Sequence, residues 1–503
     1  MSLKAGDNLK IRNIIIISII VVIITGLVVL GFWLFKGDSS AEDLPVSGGT
    51  LKLYSYAPDT LNPILTENAA NRMLLNLVYE PLIWCDNSNS AVPCLATDWD
   101  VSASGLAWTI TLREGVAFHD SSILTANDVV WSINEARKSE SPYSQTLRNV
   151  VNVMAVDQNS VMITLNKLQI NFINSLEIPI MKSNSGSIPN GTGPYRYISQ
   201  ATNKYIEFDA NVNYWGGMPY IQKIEALLMP DRSTASFSFE AKEIDVITTD
   251  FSNLGIYLGS SENRIIPFCN SLYNFLGIDH TNKQLAKKEI RQALAMSIDK
   301  NKLSSELLFS QGTITSTFSN PTWVMSAGVS DYEYSLSSSK DLLKKAGYGQ
   351  EYFTLIVNKD NEFRCMIADF CASAAKDANI RIQVKKLSWE QYKEAIINRD
   401  YDLYIGECLV PNDADPSFLF SSSITNYSNP SMETALANLR NASTQDAVKQ
   451  KYAELEALYI EELPFISLYF DSTALLVNNK VKGELVPLKN NIYYKIEKWY
   501  LSQ

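Results

Sequence analysis

The chain has 503 residues, 46% of them hydrophobic and 19% charged, which is more than one ordinary core accommodates and predicts two or three domains. Lys and Arg number 43 against 54 Asp and Glu, a formal net charge of −11, and this acidic balance argues against a nucleic-acid partner. Six cysteines in so long a chain exclude a disulfide-built scaffold, and two histidines far apart in sequence, His119 and His280, argue against a structural zinc centre.

Residues 1–13 carry Lys4, Lys10 and Arg12 against Asp7, and residues 14–35 follow without a single charge. A run of about 20 apolar residues spans a bilayer, and the positive flank predicts a cytoplasmic N-terminus with the bulk of the chain outside. Ser39-x-Ala41 also fits the cleavage site of a removed signal peptide, so anchor and leader both stay open. Residues 36–47 form a polar linker. The strand TLKLYSY and the loop APDTLNP come next, then helical spacing over residues 71–78.

Residues 95–137 are the most patterned stretch. Trp108, Ile110 and Leu112 alternate with Thr109, Thr111 and Arg113, the period of a half-buried strand. Glu114-Gly115 supplies a turn, and Val116-Ala117-Phe118 reads as a short return strand. Thr125 stands three residues before Asp128, the capping-box spacing, and Val129, Val130, Ile133 and Ala136 give the ensuing helix one apolar side. Alternating strands follow (VNVMAVDQNSVMITL). Gly191-Thr192-Gly193-Pro194-Tyr195 predicts a tight turn with glycine at positive φ. A strand follows it, which excludes a phosphate cradle.

Further on, Ile290, Ala293, Leu294 and Ile298 have helical spacing, and KDLLKKAGY is a helix stopped at Gly347. FTLIVNKD, RIQVKKLSW and YDLYIGE are strands separated by helices, a βαβ-like order. Residues 389–399 and 444–462 are helices, the latter ending before Pro464 and the strand FISLYF. Cys85 and Cys94 flank a short polar loop and suit either a local disulfide or two free thiols. Cys365 and Cys371, six residues apart on a helix, are about 9 Å apart in rise, too far for a bond. Cys269 and Cys408 read as isolated core thiols.

The ordered pattern W-x-x-S-x-x-G-L-x-W-T-x-x-L-R-x-G-V-x-F-H-D-x-x-x-L-T-A-x-D-V-V, starting at Trp99, resembles the signature of the family 5 extracellular solute-binding proteins. Leu61-Asn62-Pro63, Tyr79-Glu80-Pro81-Leu82, the G-T-G-P-Y tag, Asn211-x-Asn213-Tyr214-Trp215 and residues 290–300 resemble its other blocks, in order, across about residues 48–490. The resemblance implies an α/β, two-lobe, periplasmic-binding-protein-like fold of the class II type. An extra domain is inserted in lobe I, and this chain adds an N-terminal transmembrane helix. On that reading 1–13 is a cytoplasmic tail, 14–35 the anchor and 36–47 a linker. Lobe I comprises 48–82, 191–270 and 482–503, the extra domain is 83–190, and lobe II is 271–481.

By the same resemblance the ligand, most simply an oligopeptide, lies between the lobes, and hinge closure presents it to the permease subunits of an ATP-driven (ABC) importer. The protein would act as a monomer at the cell membrane, without cofactor. Peptide binders of the family hold the ligand's amino end with the first Asp of a D-Y-x-D-P loop. Aligning on Asp415-Pro416 puts Asn412 there, with Asp413 one residue later. Either Asp413 takes that role or the ligand lacks a free amine. Tyr56, Ala57, Asn68, Asn71, Tyr273 and Trp389 are further candidates for lining the cleft, each more readily read as packing or turn. His119-Asp120, inside the signature, reads as structural. No G-x-S-x-G, H-E-x-x-H or G-x-x-x-x-G-K-[ST] occurs, and no enzyme is expected. Two alternatives remain: a sensor or adaptor binding a signalling peptide, and an extracellular hydrolase using Asp413 and Asp415. Direct nickel ligation suits a chain with two histidines poorly.

Overall fold

The computed structural model describes residues 45–183, 188–202, 204–249, 251–310, 312–323, 326, 332–420, 427–442 and 444–502. The predicted span at 14–35 and the tail before it lie outside the described residues. Among the described residues no helix is long and apolar enough to cross a membrane.

Residues 47–501 form one compact unit, whose described residues build two large hydrophobic cores and a small third cluster around Phe239, Ile247 and Leu476. The first core serves two four-stranded sheets. In one, Thr50–Ser55 pairs in parallel with Lys223–Leu228, which pairs antiparallel with Tyr205–Ala210 and then Tyr195–Ala201. Leu51, Leu53, Ile206, Phe208, Ile224 and Ala226 alternate inward, as a period of two requires. The other sheet runs Ala96–Val101, Ala107–Leu112, Ser160–Leu165, Val150–Ala155, antiparallel throughout. Ile110, Leu112, Val161 and Ile163 point into the core.

The helix Ala126–Ala136 contributes Val129, Ile133 and Ala136 to the same core. Its predicted cap is present: the Thr125 amide and hydroxyl both donate to Asp128 Oδ2, at 3.0 and 2.8 Å. The predicted return strand at 116–118 does not form. Ala107–Leu112 is already paired on both edges, so the segment has no sheet edge to join. It keeps only an isolated bridge between Ala117 and Ile123.

The second core serves a seven-stranded sheet ordered Val246–Thr249, Phe465–Asn478, Asn263–Ile278, Leu403–Leu409, Tyr352–Asn358, Arg381–Leu387, with Thr313–Ile314 on Phe465–Asn478. Tyr352–Asn358 is parallel to both its neighbours, and the helix Glu362–Asp377 lies between it and Arg381–Leu387 in sequence, giving the expected βαβ order. The helix Leu336–Ala346 stops where predicted, at Gly347 with φ 64°. The strand predicted as FISLYF is far longer and runs Phe465–Asn478.

Phe465–Asn478 and Asn263–Ile278 are antiparallel partners, and together they pass from one core to the other. Phe268, Leu475 and Val477 lie in the first core, whereas Tyr273, Phe275, Phe465 and Phe470 lie in the second. The pairing loses register between Cys269 and Tyr273, where the crossing occurs. A bulge of this kind breaks the ladder and bends the strand locally.

Candidate ligand-binding cleft

The sequence blocks that carry the resemblance converge on one buried carboxylate. Glu80, 3% exposed, accepts from Thr192 Oγ1 at 2.8 Å, Tyr214 OH at 2.7 Å and Trp215 Nε1 at 2.9 Å. Burial pushes its carboxyl up to about 7 despite these donors. Arg113, from the opening signature, stacks its guanidinium 4.1 Å from the Trp215 ring and donates to the Cys94 carbonyl at 3.1 Å. His119 Nε2 lies 3.0 Å from the Gly193 carbonyl, and its amide donates to Gly191 O at 2.9 Å. Burial lowers its pKa to about 4. His119 thus braces the G-T-G-P-Y turn, and Asp120 pairs with Lys182.

The glycines of that turn serve close approach, not positive φ. Neither Gly191 nor Gly193 is left-handed. A Cβ on Gly191 would sit 1.9 Å from the Val78 carbonyl oxygen, and one on Gly193 would sit 2.5 Å from that of Leu77.

The two cores meet again along a polar seam beside the crossing strands. The loop after Leu403–Leu409 presents Asn412 and Asp413 to it. The Asn412 carbonyl accepts from Asn89 Nδ2 at 3.0 Å and Asn174 Nδ2 at 3.1 Å. Its side-chain amide donates to Glu177 Oε2 at 2.6 Å. Asn89 can take this place because its left-handed backbone, φ 58°, closes a turn whose amides bond to Asp86 Oδ1.

That turn joins the hairpin Ile83–Cys85 and Ala91–Pro93. Cys85 faces Ala91 across the ladder and Cys94 lies three residues further on, so the local disulfide does not form; both thiols are free and buried. Cys365, Cys371 and Cys408 are also free. The side chain of Cys269 lies outside the described residues.

A cavity of about 350 Å³ opens on this seam, walled by Arg72, Asn76, Trp84, Tyr143, Asn174, Glu177, Ser271, Val410, Asn412, Lys489 and Asn490. Its size lies at the low end of ordinary ligand sites. Lys489 Nζ donates to Asn89 Oδ1 at 2.9 Å and Ser271 Oγ at 3.1 Å. A neighbouring cavity of about 640 Å³, which shares Pro411, holds Asp413 and Asp415.

Of the residues singled out from sequence, Asn412 stands on the wall of the smaller cavity and Asp413 on that of the larger. Asp413 is 5% exposed and accepts from Gln169 Nε2 at 3.2 Å and the Asp415 amide at 3.1 Å. Burial raises its pKa to about 6. Asp415 caps the short helical turn Pro416–Phe418. Tyr273 is fully buried among Phe275, Phe465 and Phe470, with its hydroxyl on Ser467.

Asn68 caps the helix Ala69–Leu75, and Asn71 ties down the loop before it through Asp59, Thr60 and Thr66. Tyr56 is half-buried against Tyr54, Ala57 is exposed, and Trp389 stacks on Tyr392 at the surface. None of these six residues is on either cavity wall among the described residues. Sequence reading missed Glu177, Asn174, Lys489 and Asn490. Nothing in their local spacing marks them, because they come together only across several hundred residues.

Two α/β cores joined by a pair of crossing strands, with a polar cavity at their seam, define a two-lobed solute-binding architecture. The model for the bacterial extracellular solute-binding proteins, family 5, middle region, matches residues 90–430, and the chain belongs to that family. It is 22% identical to the oligopeptide-binding protein AppA of Bacillus subtilis, over 91% of this chain and 93% of that one. It is 23% identical to the dipeptide-binding protein of Escherichia coli, over 86% and 90%. Among solved structures it superposes on the ABC transporter substrate-binding protein CtaP of Listeria monocytogenes with a TM-score of 0.79. There the identity is 22%, covering 91% of this chain and all of the other. At such identity the superposition speaks to the fold.

Proposed function

We propose that the chain is an extracytoplasmic receptor for short peptides that hands its ligand to an ABC importer. The observation that carries this is the seam cavity: about 350 Å³, lined by amide side chains, set between two cores that the paired strands Asn263–Ile278 and Phe465–Asn478 connect. Amide groups satisfy a peptide backbone's donors and acceptors without demanding a particular side chain. The broken register between Cys269 and Tyr273 supplies the hinge, so closure of the second core over the first encloses the ligand.

The lobes then correspond to residues 48–82, 191–270 and 482–503 on one side and 271–481 on the other, with 83–190 as the added domain. Asn412 faces the ligand, and Asp413 faces the neighbouring cavity that continues past Pro411. The protein works as a monomer held by the uncharged run at 14–35, with its bulk outside the membrane. The names of those two relatives, oligopeptide-binding and dipeptide-binding, favour this ligand class.

A binder of the folded state stabilises it by RT ln(1 + [L]/Kd), about 2.7 kcal/mol at a hundredfold excess over Kd. Residues 45–503, heated with a pool of di- to pentapeptides, are expected to melt at a higher temperature than alone. No shift with any peptide length, together with a shift from metal chelates or sugars, rejects the peptide reading.

A further inference from the structure

A third cavity, of about 410 Å³, lies between the sheet of the 83–190 segment and the second core. One wall follows from strand pairing. On Ala107–Leu112 the residues Trp108, Ile110 and Leu112 point to one side, and Val101 and Trp99 lie opposite Trp108 and Ile110 in the ladder, so all five share a face of the sheet. Ile110 and Leu112 are buried in the first core. Trp99 and Trp108, half-buried, and the exposed Val101 carry that face on past the core and onto the cavity wall. The opposite wall holds Ala442 and Val448, just before and within the first turn of the helix Gln445–Glu462, which packs into the second core.

Two indoles opposite an aliphatic wall make an apolar compartment, and one polar atom interrupts it. Trp108 Nε1 is shut off from solvent and, among the described residues, has no acceptor. Its ring packs on Phe172 with centroids 5.6 Å apart. An indole N–H can only donate, and a buried donor without an acceptor is costly. An aromatic group that carries an oxygen at its edge covers apolar wall and supplies that acceptor together. The compartment also adjoins the ligand cleft. It shares Leu168 and Gln169 with the cavity that holds Asp413, which in turn shares Pro411 with the seam cavity. A peptide lying in the seam reaches it by extending past these residues, at about 3.3–3.6 Å per residue.

We infer that the cavity walled by Trp99 and Trp108 receives an aromatic side chain of the carried peptide, tyrosine above phenylalanine, with the phenol oxygen accepting from Trp108 Nε1. This rests on the peptide reading above. It gives the 83–190 segment a share in ligand binding. Because the two walls belong to different cores, a seated ring also ties them together as the hinge closes.

The test uses three sets of penta- to octapeptides on residues 45–503. The sets are identical apart from one residue, walked through every position, that is tyrosine, phenylalanine or alanine. Melting temperature against peptide concentration yields an apparent affinity, read at the position of strongest shift. The wild type is expected to favour phenylalanine over alanine by about tenfold or more, the range for burying one apolar side chain. It is expected to favour tyrosine over phenylalanine by a further factor of about three to ten, the range for one neutral hydrogen bond. Trp108→Phe keeps a ring on the wall and removes the N–H. It is expected to bring tyrosine and phenylalanine to within about twofold of each other, both still ahead of alanine. Equal stabilisation of the wild type by all three sets overturns the aromatic pocket and leaves the peptide reading standing, whether or not the variant folds. An undiminished tyrosine preference in Trp108→Phe overturns the hydrogen bond to Nε1. Stabilisation by none of the sets overturns the peptide reading and this assignment with it.

Discussion

Glu80 shows how one residue organises the part of the chain that sequence makes recognisable. Its carboxyl is protonated more readily in the folded protein, at about 7, than in an unfolded chain, near 4.5. Below the lower value both states are neutral there. As pH rises between the two, the unfolded chain ionises while the folded one holds its proton, so folding stability falls, by on the order of 3 kcal/mol across the window. Glu80→Gln removes that titration. Measured by urea unfolding at pH 4.5 and 7.5, the wild type is expected to lose about 3 kcal/mol relative to the variant, the two buried histidines being common to both. A constant difference would mean that Glu80 is ionised throughout.

This residue also explains what was legible beforehand. Thr192, Tyr214, Trp215 and Arg113 belong to the recognisable blocks because they surround Glu80, and such packing tolerates little change. Glu177 and Asn174 surround empty space, and no local pattern announces them.

At the level of elements, local rules held wherever a segment's partners are near in sequence. The cap at Thr125, the stop at Gly347 and the βαβ order all depend on neighbouring residues. They failed where a distant strand decides. The 116–118 segment has strand composition but no free edge, and the FISLYF strand is extended by pairing with residues 263–278, some two hundred positions earlier. The G-T-G-P-Y turn belongs to this second kind, since its glycines answer to the carbonyls of Leu77 and Val78. Gly191→Ala is therefore expected to destabilise the protein by several kcal/mol, because backbone, not a flexible side chain, would have to move. A loss below about 1 kcal/mol in denaturant unfolding would show that the turn can shift freely.

For the whole molecule, the seam sets how readily the two cores separate. Gln169 Nε2 donates to Asp413 and Asn89 Nδ2 to the Asn412 carbonyl, while Ile170 is buried in the second core. Gln169→Ala together with Asn89→Ala cuts two of these hydrogen bonds, each worth about 1 kcal/mol. Without ligand, the doubly substituted protein is expected to show a larger radius of gyration by X-ray scattering, and a smaller one again when peptide is added. An unchanged radius would place the restraint elsewhere, in the crossing strands themselves.

Those strands also order events in time. The first core draws on Leu51 and Leu53 but also on Leu475, Val477, Val481 and the fully buried Trp499, so everything between the two crossings is in effect an insertion within it. During vectorial synthesis residues 51–226 supply most of the first core early, but the part that Leu475, Val477, Val481 and Trp499 fill arrives some four hundred positions after Leu51. Contacts so remote in sequence form slowly. The first core is thereby left unsealed until the chain is nearly all made, the condition in which a polypeptide can still be threaded through a membrane pore.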